Sequence, residues 1–155
     1  MRIDEIDDRD RAILRELMRD GRLTNAELAE RVHLSQSACL RRVRALEEGG
    51  IIAGYVMLLD SVAVGLPGVA FVAVSLDQQG RAALDRFERE ASRHAEILEC
   101  YLLAGVSDYM LRVAFRDASD FERIHTEILT QLPGVARVQS TMTLRTVKKT
   151  TVLPL

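Results

Sequence analysis

Residues 24–50, Thr-Asn-Ala-Glu-Leu-Ala-Glu-Arg-Val-His-Leu-Ser-Gln-Ser-Ala-Cys-Leu-Arg-Arg-Val-Arg-Ala-Leu-Glu-Glu-Gly-Gly, read as two short helices joined by a tight turn. Thr24 with Glu27 three residues on is a capping box, each group satisfying an orphan amide of the first turn. Leu28, Ala29 and Val32 then share one helical face. His33-Leu34-Ser35 breaks the run, and Ser35 suits the N-cap of the next helix. There Cys39, Val43 and Leu46 form the buried stripe at i, i+4, i+7. Gln36, Ser37, Leu40, Arg41 and Arg44 fall on other faces, and Gly49-Gly50 ends the helix where a left-handed residue costs little. An earlier helix is expected from about Asp8 to Asp20, with Ile13, Leu14, Leu17 and Met18 inward and Gly21 closing it. Three short helices with a tight turn before the last make a helix-turn-helix.

Charge supports a polyanionic partner for the last of these helices. From Arg31 to Leu46 there are four arginines and no acid, while the lead-in carries Asp4, Glu5, Asp7, Asp8 and Asp10. Residues 1–60 hold 10 Arg against 12 Asp and Glu, so the positive charge is local to one element. The alternative, a solvated arginine face on an ordinary amphipathic helix pair, is weighed against that localisation.

The whole chain of 155 residues has a net charge of −2 and 48% hydrophobic residues, which excludes both an indiscriminate polycation and a disordered chain. No apolar run approaches a membrane span of roughly 18 residues, and the N-terminus lacks the charged-then-apolar layout of a signal peptide. Cys39 and Cys100 are expected as free thiols. These features set the expectation of a soluble, cytoplasmic protein with no membrane partner.

After Gly50 the pattern changes. Ile51–Leu59 reads as a strand leaving the helical module, and Gly65, Pro67 and Gly68 punctuate the next stretch. The expected division is a DNA-binding domain over 1–52, a hinge strand over 53–66 and a second domain over 67–155. Within the last, strands are expected at Val69–Leu76, Ile97–Ala104, Tyr109–Phe115 and Val135–Leu144. Helices are expected at Gly80–Ser92 and from a Ser119/Glu122 capping box, the latter carrying Phe121, Ile124, Ile128 and Leu132. This βαββαβ order is the ferredoxin-like arrangement, giving an α+β fold overall. Val69–Val74 is apolar on both alternations, and so is the second strand. One face takes the helices; the other predicts a partner sheet and hence a homodimer.

The loop Gly105-Val106-Ser107-Asp108-Tyr109 is a second candidate site. Its amides suit a carboxylate and Asp108 an ammonium, together an amino-acid zwitterion, although Gly-x-x-Asp also describes ordinary turns. Catalytic chemistry is thin: His33, His94 and His125 lack metal-ligand spacing, and no nucleophile–base pair is present. No catalytic residue, metal or cofactor is expected. An architectural DNA-wrapping protein, indifferent to small molecules, is the remaining alternative.

Several stretches in order resemble the Lrp/AsnC (feast/famine) family of transcription regulators: 6–14, 20–29, 34–47, 50–55, Glu99-Cys100-Tyr101, 105–113 and Leu132-Pro133-Gly134-Val135. The resemblance covers essentially the full chain. It implies a winged helix-turn-helix domain, a hinge, and a C-terminal effector-binding and oligomerisation domain. It also implies homodimers assembling to octamers or other higher oligomers, with an amino acid bound between C-terminal domains. Carried over, it makes Gln36, Ser37 and Leu40 base-facing, with Arg41, Arg42 and Arg44 on phosphates or a guanine; which arginine does which stays open. For the effector it points to Tyr101, Gly105, Ser107, Asp108 and Tyr109, with Gln139, Ser140 and Thr141 as further candidates. Val106 departs from the polar or acidic residue many relatives carry there. Three arginines per subunit on phosphate would neutralise about six per dimer, a loss on the order of 10³ in affinity between 50 and 200 mM salt.

Overall fold

The computed structural model describes residues 6–155; Asp4 and Glu5 of the acidic lead-in lie outside them. Contacts divide the chain into two units, residues 1–58 with 147–155, and residues 59–146.

In the first unit α1 spans Asp8–Arg19, α2 Asn25–Arg31 and α3 Gln36–Glu48. Each begins where a side chain satisfies an orphan amide. Asp7 caps α1 in a reciprocal box with Asp10, Thr24 and Glu27 form the expected box at α2, and Ser35 Oγ accepts from the Ala38 amide at α3. The turn between α2 and α3 holds His33 at φ 54°, a left-handed residue that lets Leu34 N–H return to Ala29 O at 2.9 Å. Gly50, at φ 73°, does the same for the end of α3, and the Ile51 and Ile52 amides close on Leu46 O. The core is Ile6, Ile13, Leu14, Leu28, Ala29, Val32, Cys39 and Leu46. Burying each large aliphatic contributes roughly 1.5–3 kcal/mol, and the three short helices depend on that shared core.

Two expectations about this unit are corrected. Ile51–Leu59 is not a strand of any sheet among the described residues. Its first residues turn back onto the helical core, and Val56, Met57, Leu58 and Leu59 stay exposed. Apolar content alone does not make a strand when the chain supplies no ladder partner. The last nine residues, expected with the second domain, pack instead on the first unit. Leu155 joins its core, and Arg15 Nε donates to Leu155 O at 2.7 Å.

The second unit has β1 at Gly68–Leu76, α4 at Arg81–Ala91, β2 at Ile97–Leu102 and β3 at Tyr109–Phe115. α5 at Ala118–Arg123 continues through a π turn, Ile124–Ile128, and a 3₁₀ turn, Leu129–Gln131, before β4 at Val135–Met142. The strands lie in the order β2-β3-β1-β4, all antiparallel, as the split βαβ pattern requires. Alternation decides the faces. Ala70, Val72, Val74 and Leu76 of β1, with Tyr109, Leu111 and Val113 of β3, are buried against Phe87, Ala91, Phe121, Ile124 and Leu129. The Phe87 and Tyr109 rings meet at 4.4 Å between centroids.

The opposite face carries Phe71 and Ala73 of β1 and Met110 and Arg112 of β3, with Gln139 and Thr141 of β4 in register. Phe71 is 40% exposed, so the face is not closed by this chain's helices. It is less apolar than the sequence suggested. A register shift between Ile97 and Glu99 reverses the alternation of β2, setting Glu99 and Tyr101 on the open face and Cys100 and Leu102 on the other. The second capping box is also corrected. Asp117, not Ser119, caps α5 by accepting from the Asp120 amide at 2.9 Å, because Asp120 occupies the N3 position and is pinned by Arg116 and Arg123. The π turn widens the helix so that both Ile128 and its neighbour Leu129 are buried.

Candidate nucleic-acid interface and ligand site

The outward side of α3 is built by subtraction. Cys39 and Leu46 are sunk in the core, which leaves Gln36, Ser37, Leu40, Arg41 and Arg44 at the surface. Ser37, Leu40, Arg41 and Arg44 line one shallow concavity along the helix, with Ala45 and Glu48 at its far end. Leu40 is 39% exposed, an apolar side chain held among polar ones. The start of α3 is fixed by Asn25, whose Nδ2 donates to Gln36 O at 2.9 Å.

Arg42 behaves differently from its neighbours. Its Nη1 donates to Asp7 Oδ2 and Asp10 Oδ1, both at 2.9 Å, so its guanidinium clasps the cap of α1. These bonds, that to Asp10 first, raise the Arg42 pKa, and the Asp10 amide followed by Arg42 holds the Asp7 carboxyl below its ordinary range. Asp10 and Asp7 thus fix α3 against α1 through Arg42, whereas no ion pair ties Arg41 or Arg44 among the described residues.

That arrangement presents one helix, mounted on two others, with cations and short polar side chains facing out. Residues 6–53 match the family of winged helix-turn-helix DNA-binding domains. Residues 69–153 match the Lrp/AsnC ligand binding domain. The chain belongs to the Lrp/AsnC family. A leucine-responsive regulatory protein of Rhizobium meliloti is 42% identical over 144 residues, 93% of this chain and 92% of that protein. The Bkd operon transcriptional regulator of Pseudomonas aeruginosa is 40% identical, covering 97% and 99%. A Neisseria meningitidis transcriptional regulator, solved as its L-Met complex, superposes with a TM-score of 0.92 at 40% identity over 96% of each chain. This Lrp/AsnC protein is accordingly a DNA-binding transcription regulator and not an enzyme. No group of His, Cys, Asp or Glu among the described residues is arranged to hold a metal, and no described helix is long and apolar enough to cross a membrane.

The second candidate site is taken apart by the fold more than the first. Asp108 sits at the start of β3 with its carboxylate committed: Oδ2 accepts from the Leu76 amide at 2.7 Å and Oδ1 from Gln79 Nε2 at 2.8 Å. Its own amide donates to Val74 O. The residue splices the end of β1 to β3, a turn role carried across strands. Tyr109 lies 1% exposed on the helix-covered face. Its hydroxyl donates to Glu88 Oε1 at 2.8 Å; burial first, and that bond second, push its pKa well above the ordinary value. Ser140 shares the inner face with Val72, opposite its neighbours Gln139 and Thr141, and its Oγ is buried without a hydrogen-bond partner among the described residues.

Tyr101 remains on the open face, its hydroxyl donating to Glu99 Oε2 at 3.0 Å, and Glu99 also pairs with Arg112 at 2.6 Å. Gly105 is exposed, and Val106 and Ser107 join Ala73, Ser75, Arg137 and Gln139 around a small depression. Sequence reasoning missed Ser75 and Arg137. The signal was available: Arg137, Gln139 and Thr141 alternate along one strand and therefore share a face.

Proposed function

We propose that this regulator reads duplex DNA through α3, with Gln36, Ser37 and Leu40 toward base edges and Arg41 and Arg44 on phosphates. Arg42 positions the helix through Asp7 and Asp10 and does not itself carry the contact. The observation that bears most weight is the split on one helix between Arg42, closed by two carboxylates, and Arg41 and Arg44, which form no ion pair among the described residues.

A homodimer formed through the open sheet face would place two such helices in successive major grooves of a degenerate palindrome, and octamers or other higher oligomers would bend longer DNA. The open face with Phe71 and Tyr101 supports that assembly, as does its lack of helix cover. An amino acid bound beside the 105–107 loop shifts the placement of the DNA-binding units and so their occupancy. The L-Met complex of the Neisseria relative supports that ligand class. Cytoplasmic, nucleoid-associated residence accords with this role. Titration of a labelled operator with wild type and the Arg41→Ala/Arg44→Ala double variant tests the interface; equal affinity would contradict it.

A further inference from the structure

We propose that Arg137 is the carboxylate anchor of the ligand site, and that Asp108, despite its place in the Gly-x-x-Asp loop, is not a ligand contact. The inference rests on the proposal of an amino-acid effector and deepens it by naming the group that is recognised and the residue that recognises it.

The depression bounded by Ala73, Ser75, Val106, Ser107, Arg137 and Gln139 encloses about 40 Å³. A single water centre needs roughly 10–15 Å³ on this measure, so the space suits a group of about three heavy atoms, the size of a carboxylate. Its walls are set by register. Ser75 faces Arg137 and Ala73 faces Gln139 across the β1–β4 ladder, all on the open side of the sheet, while the 105–107 loop closes the end. Every polar side chain in the lining can donate, and none is an acid: a guanidinium, two hydroxyls and a carboxamide.

The two arginines of this face divide as the arginines of α3 do. Arg112 is neutralised by Glu99, whereas no ion pair holds Arg137 among the described residues. A cation beside hydroxyl donors, without a resident acid, selects an anion, and the guanidinium fork matches a carboxylate in two parallel bonds. Asp108 cannot serve as the opposite pole at small cost, because an incoming ammonium would have to displace the Leu76 amide and the Gln79 carboxamide.

The test is a thermal-shift and calorimetric series on the full chain. The twenty amino acids are tried singly, L-methionine first, and then the carboxamide of whichever binds. Wild type is expected to bind the acid and to lose about ten-fold or more on the amide. Arg137→Gln is expected to bind the acid as weakly as wild type binds the amide, with an unchanged melting temperature when no ligand is present. Tight binding of the amide by wild type, or of the acid by Arg137→Gln, overturns the anchor and leaves the amino-acid effector standing. Failure of every amino acid to bind wild type overturns both. If the binding lost in Arg137→Gln were lost only together with its fold, the ligand-free melt would show it, and Arg137→Lys, which keeps the charge without the fork, should then retain part of the affinity.

Discussion

The outer face of α3 and the 105–109 loop are both marked out by residue type, yet the fold treats them in opposite ways. On α3 most of the marked side chains stay outside: Gln36, Ser37, Leu40, Arg41 and Arg44 project from a helix whose other side is core. In the loop two of the most suggestive residues are consumed, Asp108 by the ends of β1 and Tyr109 by Phe87 and Glu88. A helix separates its faces by a fixed 100° step, so a polar side chain off the apolar stripe points outward unless another element reaches it, as α1 reaches Arg42. A loop residue has no such guarantee, because buried amides nearby will recruit whatever carboxylate is in reach.

The contrast can be broken most forcefully on the helix. Removing both Arg41 and Arg44 is expected to weaken operator binding on the order of 10²-fold or more at about 100 mM salt, with no change in the melting temperature. A large drop in melting temperature would show those arginines to be structural after all. On the loop the same kind of change should reverse its effect: Asp108→Ala, by orphaning the Leu76 amide, is expected to cost about 1–3 kcal/mol of stability without any ligand present. A denaturant melt coinciding with wild type would return Asp108 to the set of free ligand groups.

A smaller effect sharpens the same point about committed carboxylates. Asp120, 7% exposed, is held far below its ordinary value of 3.8, first by the Arg116 side chain and amide and then by Arg123. A depressed carboxylate contributes stability that is present above its unfolded value and is lost as pH falls through the folded one. The second unit should therefore weaken as pH drops below about 4, and Asp120→Asn should flatten that part of the profile while lowering stability at neutral pH. An unchanged acid limb in the variant would show that Asp120 does not carry the acid sensitivity.

Legibility in the sequence divides along the same line. The helix-turn-helix, its caps at Thr24 and Ser35, the βαββαβ order and the span Tyr109–Phe115 were all readable, because periodicity and capping are local. The failures were non-local. Ile51–Leu59 has strand composition but no strand to pair with among the described residues. The shift at Ile97/Glu99 swapped the faces of β2, which no alternation count foresees. Ser119 lost the cap to Asp117 because Asp120 was the better-anchored N3 residue. At the sites, the sequence groups Arg42 with Arg41 and Arg44, and only the fold brings Asp7 and Asp10, over thirty positions upstream, to its guanidinium. Alternation along β4 places Arg137 on the face of Gln139 and Thr141, but its position beside Val106 and Ser107 follows only from the fold.

Reassigning Arg42 changes the expected salt dependence. Six phosphate contacts per dimer imply a loss on the order of 10³ in affinity between about 50 and 200 mM salt, whereas four imply about 10². The salt dependence of operator binding by wild type, Arg41→Ala, Arg44→Ala and Arg42→Ala is therefore the most direct test. Arg41→Ala and Arg44→Ala should each flatten the slope, by about one per contact removed. Arg42→Ala should keep the wild-type slope while losing about 1 kcal/mol of stability as Asp7 and Asp10 lose their partner. A slope flattened equally by all three variants, with Arg42→Ala as stable as wild type, would contradict the division of labour on this helix.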